Sequence, residues 1–209
     1  MKNLLPYDGT LSYSQQFYSE EKATQIFNVL KTYPEYEQRI IKIFGKEFNA
    51  PRLEAFYSKN KQNYSYSGHT LEGNVFTPMI EDICIAVEAF SGVSFNSVLI
   101  NVYRDGQDSN GWHSDNEKEL GKNPTIASLS FGAPRNIHFR HNKTNLKKTI
   151  EMENGSLMIM GGSIQHNWKH QVPKTSKVKS TRINMTFRRI IGCSNLQGHI
   201  SIVVSDDLR

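Results

Sequence analysis

The chain has 209 residues, a mass of 23.9 kDa and a formal net charge of +5, with 37% hydrophobic and 22% charged residues. The length suits one domain with an extension rather than two full domains, and the share of apolar residues excludes an intrinsically disordered chain. The longest apolar runs fall far short of the roughly 18 residues of a membrane-spanning helix, and the two cysteines are too few for a disulfide framework. We therefore expect a globular protein of a reducing compartment that is neither secreted nor membrane-bound, nuclear in a eukaryote and cytoplasmic in a bacterium.

Positive charge is concentrated in the second half of the chain. Residues 135–189 hold twelve lysines and arginines against two glutamates, a formal charge of +10, which leaves −5 for the rest of the chain. A basic segment of this kind favours a polyanionic partner, and nucleic acid is the commonest one. The alternative is that the lysines only keep an exposed sheet soluble.

The predicted elements change from helical to extended near residue 96. Apolar residues at helical spacing predict an amphipathic helix over residues 19–33, ended by Pro34, and a second helix that begins after Thr77 and ends before Ser91-Gly92. Short β-prone runs separated by turn residues follow: Val98–Tyr103, Ile126–Phe131, Asn136–Phe139, Thr149–Met152, Ser156–Met160 and Arg182–Ile190. The pattern predicts a mostly β fold with flanking helices, built on an antiparallel barrel or sandwich.

Among the seven histidines, His113 is set apart because Asp115 follows two positions later. On an extended backbone this spacing places both side chains on the same side, where they can share one ion. A distant histidine could complete the two-histidine, one-carboxylate set of non-haem Fe(II) oxygenases. His170 is preferred, but spacing does not separate it from His166. Taken alone, a His-x-Asp pair is more often a hydrogen-bonded surface pair. The remaining histidines are interpreted as structural or surface residues: His69, His138, His141 and His199.

The segment from residue 182 to residue 188 alternates polar and apolar side chains. Period two sends four polar residues to one face of a strand: Arg182, Asn184, Thr186 and Arg188. If that face points inward, its two guanidiniums are costly unless they meet an anion, and a dicarboxylate suits bidentate pairing. If it points outward, the strand is ordinary, and alternation alone does not decide. Asn101 and Tyr103 favour the inward orientation because they alternate on the preceding strand and can hydrogen-bond a carboxylate.

Together, His113-x-Asp115, the distant His170 and the Arg-x-Asn-x-Thr-x-Arg string resemble the AlkB family of Fe(II)- and 2-oxoglutarate-dependent dioxygenases. The resemblance covers Ile43–Ile190 and implies a double-stranded β-helix, or jelly roll, in which these two histidines and the aspartate hold Fe(II). It prefers His170 to His166, because the family's last ligand precedes a similar apolar-Pro segment. It implies that 2-oxoglutarate is the co-substrate and O2 the oxidant, with six residues lining the 2-oxoglutarate site: Asn101, Tyr103, Arg182, Asn184, Thr186 and Arg188.

Shorter strings are similar to the branch of the family whose vertebrate members repair duplex DNA. The similarity implies that Phe44 is a finger that enters the base stack, and that Tyr64 and Tyr66 line a pocket for the extruded base. Tyr66 and Asn116 depart from that branch, which has a phenylalanine and an aspartate there, and this concerns base preference more than reaction type. Without the metal motif, the three aromatic residues would more simply be core residues. The residues expected near the substrate are Phe44, Gly45, Lys46, Arg52, Tyr64, Tyr66, Asn116 and Glu117.

The resemblance implies oxidative N-demethylation of 1-methyladenine and 3-methylcytosine in DNA, with release of formaldehyde. It divides the chain into an N-terminal α/β part with helices and a nucleotide-recognition lid (1–96), the jelly-roll core (97–190) and a C-terminal tail (191–209). We expect a monomer that binds double-stranded DNA and flips out the damaged base. The alternatives are a demethylase of RNA or single strands with the same chemistry, a non-catalytic nucleic-acid-binding jelly roll, and a hydroxylase of proteins or small molecules.

Overall fold

The computed structural model describes residues 2–43, 46–61, 64–66, 69–71 and 73–191, and their side chains outside residues 41–46 and 62–72. The predicted substrate residues Phe44 and Gly45 therefore lie outside the described residues, and so do the side chains of Lys46, Tyr64 and Tyr66. Within the described part of the chain, no helix is long and apolar enough to cross a bilayer.

Fifteen strands and three α-helices make up the described structure. The strands are β1 (Thr10–Ser14), β2 (Ile40–Ile43), β3 (Lys46–Asn49), β4 (Leu53–Ser58), β5 (Tyr64–Tyr66), β6 (His69–Leu71), β7 (Asn74–Val75), β8 (Ser97–Tyr103), β9 (Asn110–His113), β10 (Ile126–Gly132), β11 (Arg135–His141), β12 (Lys147–Met152), β13 (Leu157–Gly161), β14 (Trp168–Val172) and β15 (Arg182–Arg188). The helices are α1 (Glu20–Leu30), α2 (Pro78–Ser91) and the short α3 (Ile164–Asn167), and a 3-10 turn covers Lys118–Leu120.

Two sheets form the body of the fold. The large sheet has the strand order β1-β13-β10-β15-β8-β4-β7 and the small sheet has the order β12-β11-β14-β9. Apolar side chains from both sheets share one buried cluster, to which Leu99 and Met158 contribute from the large sheet and Phe139 and Trp168 from the small one. Two packed sheets of this kind form a jelly roll, so the predicted class, a mostly β protein with flanking helices, is confirmed.

Strands β8 and β15 are neighbours in the middle of the large sheet, and every residue of both is buried. The apolar residues of β15 belong to the core cluster that also contains helix residues: Ile183, Met185 and Phe187. Because side chains alternate along a strand, the polar residues of β15 face the small sheet instead. The register pairs Arg182 with Tyr103 and Asn184 with Asn101. Pairing thus sets the predicted polar residues of two distant segments side by side.

Both predicted long helices are present and pack against the large sheet. Helix α1 ends at Leu30, three residues earlier than predicted, because Pro34 disfavours helical backbone at the residue before it and the last residues form turns. Helix α2 begins as predicted, since the Thr77 side chain accepts a hydrogen bond from the backbone N–H of Ile80. It ends at Ser91, one residue later than predicted, and is capped by Gly92, whose φ of 71° suits a residue without a β-carbon.

Three strands of the large sheet, β1, β4 and β7, come from early segments for which no strand was predicted. Strand β1 pairs with β13, and β4 pairs with β8. Strand β1 lies at the edge of the sheet with one fully buried residue, Leu11, so its extended form depends on the neighbouring strand rather than on an apolar pattern. In β4, five of the six residues are buried, so both faces of the strand are covered. The alternation of buried and exposed positions expected of a half-buried strand is therefore absent.

Candidate functional site

Two histidines and an aspartate converge between the sheets. His113 ends β9, and the pairing of β9 with β14 sets it opposite His170, with ring centroids 4.2 Å apart. Asp115 follows two residues beyond β9, and its Oδ2 lies 3.9 Å from Nε2 of His170. One ligand atom from each of the three residues lies within 4.8 Å of the other two. The convergence expected from the His-x-Asp spacing and a distant histidine is therefore present.

A backbone carbonyl orients the imidazole of His113. Its Nδ1 lies 2.8 Å from the carbonyl oxygen of Gly111. Because a carbonyl oxygen can only accept, Nδ1 carries the proton and Nε2 holds the lone pair. An imidazole fixed in this way through its second nitrogen is the usual arrangement of a metal-binding histidine.

The charges of the three residues suit a divalent cation. Burial lowers the pKa of His113, and burial together with the neighbouring imidazole lowers the pKa of His170 to about 3, so both rings are neutral at pH 7. Burial opposes the ionisation of Asp115, but the charge of Arg188 and the two imidazoles outweigh it and hold its pKa below the usual range. Oδ2 of Asp115 is buried and has no hydrogen-bond partner among the described residues. Two neutral nitrogens and one uncommitted carboxylate oxygen are a donor set that fits Fe(II).

The structure also separates the two rival histidines. His166 belongs to α3 rather than to a strand, and its side chain is exposed. His170 belongs to β14 and is buried. The even spacing that made the two equivalent on an extended chain does not apply, because a helical turn lies between them. Among the described residues, only His170 joins His113 and Asp115 in a cluster that could hold a metal ion.

A cavity of about 40 Å³ lies beside the three residues. This volume corresponds to a few water molecules. Apolar walls are supplied by Leu99, Ile137 and Met158. All nine residues predicted to hold the metal and the diacid line this one cavity: Asn101, Tyr103, His113, Asp115, His170, Arg182, Asn184, Thr186 and Arg188.

Comparison with known families agrees with this geometry. The model of the 2OG-Fe(II) oxygenase superfamily matches residues 10–188, which is most of the chain. The chain belongs to this superfamily. Its relatives place it in the AlkB family, as predicted, so the protein is a dioxygenase that uses Fe(II), 2-oxoglutarate and O2.

Relatives from several organisms support the assignment. The oxygenase is 36% identical over 185 residues to the DNA oxidative demethylase ALKBH2 of Bos taurus, covering 83% of this chain and 66% of that protein. Human ALKBH2 is also 36% identical and is covered to 71% of its length. The human alpha-ketoglutarate-dependent dioxygenase alkB homolog 3 is 39% identical over 153 residues, covering 68% of this chain and 53% of that protein. The chain therefore spans just under two thirds of the bovine ALKBH2 and about half of the human homolog 3.

A solved structure shares the fold. OsALKBH1 superposes with a TM-score of 0.58 over 86% of this chain and 97% of its own, at 15% sequence identity. At that identity the likeness is one of fold, and it agrees with the jelly roll described above.

Arg182 of the oxygenase has uncommitted hydrogen-bond donors inside the cavity. Its Nη2 donates to Ser130 Oγ at 2.8 Å and to Asn184 Oδ1 at 2.6 Å. Its Nε and Nη1 are buried, and neither has a hydrogen-bond partner among the described residues. Burial lowers the pKa of Arg182 to about 10, which leaves the side chain charged at neutral pH. A buried cation with free donors fits a carboxylate, such as one end of 2-oxoglutarate.

A network of hydrogen bonds fixes the other polar residues of β15. Oδ1 of Asn184 accepts from Ser128 Oγ at 2.9 Å and from Ser130 Oγ at 3.3 Å, in addition to Arg182. Its Nδ2 donates to Thr186 Oγ1 at 2.8 Å. Fixed side chains lose little conformational entropy when a ligand binds. The network therefore preorganises Arg182, so that its side chain is in position before a ligand binds.

Arg188 is engaged differently from Arg182. The two residues begin and end the seven-residue β15, so their α-carbons are roughly 20 Å apart. Nη2 of Arg188 donates to Oδ1 of Asp115 at 2.9 Å. Both arginines were predicted from the sequence to meet the diacid. The structure gives them distinct surroundings. Arg188 lies beside the metal-binding cluster, and Arg182 lies at the far end of the cavity.

Three of the residues expected near the substrate are described with their side chains, Arg52, Asn116 and Glu117, and none of them lines the cavity. Arg52 is buried, and its Nε donates to Asn101 Oδ1 at 3.0 Å while it pairs with Glu54. Asn116 is exposed directly after Asp115, and Glu117 is half-buried. Arg52 thus contacts a residue expected at the 2-oxoglutarate site, which its position in the sequence does not suggest.

For several residues of the site, no role was predicted from the sequence. Ser128 and Ser130 alternate on β10, within a string that is similar to the duplex-DNA branch of the family but that indicated no role for them. Arg135 is buried with its Cζ 5.5 Å from the ring centroid of Tyr103, and it donates to three backbone carbonyls of two loops. Gln165 accepts a hydrogen bond from the backbone N–H of Asp115. Only the tertiary structure reveals these contacts.

Proposed function

We propose that the protein is an oxidative demethylase that repairs N-alkylated bases, such as 1-methyladenine and 3-methylcytosine, in DNA. The observation that carries the proposal is the cavity itself, where a neutral two-histidine, one-carboxylate cluster and an arginine with uncommitted donors line the same space. Its relatives named DNA oxidative demethylase support the choice of substrate. A DNA substrate would make the nucleus the site of action in a eukaryote.

In the proposed mechanism, His113, Asp115 and His170 hold Fe(II), and Arg182 binds a carboxylate of 2-oxoglutarate. When bound, Fe(II) and 2-oxoglutarate supply the activation of O2 that hydroxylates an N-methyl carbon, and the product then loses formaldehyde. Arg188 fixes Asp115 so that its second carboxylate oxygen stays available. Apolar side chains in the cavity wall lower the local dielectric constant, which strengthens the charge interactions inside the cavity.

A row of cations on the small sheet supports a nucleic-acid partner. Lys147, Arg140 and Lys169 are direct neighbours across β12, β11 and β14. Like charges in directly opposed positions destabilise a sheet, so an unbalanced row of this kind suits a surface that meets phosphates. Trp112 lies beside it, with the Arg140 guanidinium 4.7 Å from its ring centroid. We propose that this row holds the DNA backbone.

Double-stranded DNA and a monomeric protein are the finer parts of the proposal. A stacked base cannot reach a buried metal, so the damaged nucleotide must be flipped out at a cost of a few kcal/mol. We propose that Phe44 enters the vacated space and that Tyr64 and Tyr66 stack on the extruded base, each aromatic contact returning about 1 to 3 kcal/mol. Phe44→Ala would then lower activity on duplex substrate selectively. Equal losses on duplex and single strand would contradict the wedge.

The decisive assay combines purified protein, Fe(II), 2-oxoglutarate and matched single- and double-stranded oligonucleotides that carry 1-methyladenine. We expect one formaldehyde and one succinate per repaired base. Asp115→Ala should abolish turnover, and His166→Ala is the matched control because His166 is an exposed histidine near the site but outside it. Turnover on single strands or RNA alone would favour the alternative substrate. Intact metal binding without turnover would favour a non-catalytic binding protein.

A further inference from the structure

We infer that Gln165 is a positioning residue for the metal-binding cluster, an inference that rests on the proposed assignment of His113, Asp115 and His170 as ligands. Oε1 of Gln165 accepts a hydrogen bond from the backbone N–H of Asp115 at 3.0 Å. The Gln165 side chain is buried, with 2% of its surface exposed. Its Nε2 lies 3.7 Å from Sδ of Met160, so the amide is held at both ends.

The position of Asp115 in the fold explains why it needs this contact. Strand β9 ends at His113, so Asp115 lies beyond the hydrogen-bond ladder that fixes the histidine. Its backbone N–H is buried and needs an acceptor from elsewhere. Gln165, fifty residues later in the chain, supplies that acceptor. Gln165 thus fixes the backbone of Asp115, as strand pairing fixes the backbone of His113.

A second contact joins the same two segments. Oγ of Ser114 donates to the backbone carbonyl of Trp168 at 2.9 Å. Both contacts connect the segment that follows His113 with the segment that leads to His170. They set the separation between His113 and Asp115 on one segment and His170 of β14 on the other before any metal binds.

The two ends of Asp115 are therefore held independently. Arg188 binds carboxylate oxygen Oδ1, and Gln165 binds the backbone N–H. With both ends fixed, the direction of Oδ2 toward His170 is determined by the protein rather than by the ion. Residues that orient metal ligands in this way typically change metal affinity by about 10 to 100-fold when they are replaced.

The test compares Gln165→Met, which keeps the volume but removes the acceptor, with Gln165→Glu, which keeps an acceptor oxygen. Mn(II) binding to the full chain in the presence of 2-oxoglutarate is measured by titration calorimetry and by electron paramagnetic resonance. We expect Gln165→Met to bind Mn(II) about 10-fold or more weakly, and Gln165→Glu to bind within a few-fold of the wild type. Gln165→Asn, too short to reach Asp115, is the second disrupting variant if Gln165→Met does not fold.

Asn154→Leu is the matched control, because Oδ1 of Asn154 accepts from the backbone N–H of Gly132 at 2.9 Å away from the metal-binding cluster. It should lower the melting temperature without changing Mn(II) affinity. If the Gln165 variants also lose only melting temperature, Gln165 is a purely structural residue and the inference is wrong. If the wild type itself fails to bind Mn(II), or His113→Ala does not weaken binding, the proposed function fails instead.

Discussion

Nη2 of Arg188 donates to Oδ1 of Asp115 across 2.9 Å, and both side chains are buried. Removing one partner of a buried ion pair leaves the other charge uncompensated, which costs about 3 to 5 kcal/mol. We therefore expect Arg188→Leu to lower the free energy of unfolding by roughly 3 kcal/mol, and to weaken metal binding as well. Urea denaturation of the metal-free protein measures the first effect, and a loss below about 1 kcal/mol would contradict a strong buried pair.

Replacing Arg182 should change the KM for 2-oxoglutarate without changing metal affinity. Because its free donors face the cavity at the end away from Asp115, Arg182→Met should raise the KM for 2-oxoglutarate by about 100-fold, in line with the 2 to 5 kcal/mol of a buried charged contact. Mn(II) affinity measured without 2-oxoglutarate should stay within a few-fold of the wild type. Arg104→Met is the control, since Arg104 is half-exposed and pairs with Asp108. Equal effects on metal and 2-oxoglutarate binding would show that the two ends of the cavity are not separate.

A side chain at position 106 should crowd the two loops that meet there. Its N–H donates to the carbonyl of Val178, its carbonyl accepts from the N–H of Thr175, and a β-carbon there would lie 2.1 Å from the Thr175 carbonyl oxygen. We expect Gly106→Ala to destabilise the protein by about 1 to 3 kcal/mol, as overpacking does. Gly111→Ala is the control, because a β-carbon at Gly111 meets no atom within 4 Å. Thermal denaturation of both variants distinguishes crowding from a general effect of replacing glycine.

The burial of Cys84 should make its thiol unreactive near neutral pH and make the stability of the protein depend on pH above about 8.5. Burial raises the pKa of its thiol to about 12, against the opposing charge of Lys59. In a Cys193→Ser background, a thiol reagent at pH 8 should therefore modify no thiol in the native protein and one after unfolding. Because the folded pKa is raised above the unfolded value, the contribution of the thiol to stability is complete below about pH 8.5 and is lost as the pH rises toward 12. Rapid labelling of the native protein would contradict the burial of Cys84.

The local pattern of the chain was sufficient to predict the fold class and to single out candidate residues of the site. Period-two alternation is a property of a few consecutive residues, so it identified His113 with Asp115 and the four polar residues of β15 without knowledge of the partner strands. Helix-start signals are equally local, and they located the beginning of α2 at Thr77. The order of the motifs along the chain was then enough to indicate the family.

Tertiary structure decided which residues act together, because contacts between distant segments depend on strand pairing and burial rather than on spacing. The register of β9 with β14 brought His170 opposite His113, while His166 lies in the helical turn α3, outside the metal-binding cluster. The packing of Ile183, Met185 and Phe187 against the helix side of the large sheet settled which way the polar residues of β15 point, which alternation could not do. The acceptor for Asp115 came from Gln165, a residue without any motif, since a buried N–H can be satisfied by whichever side chain the fold brings near.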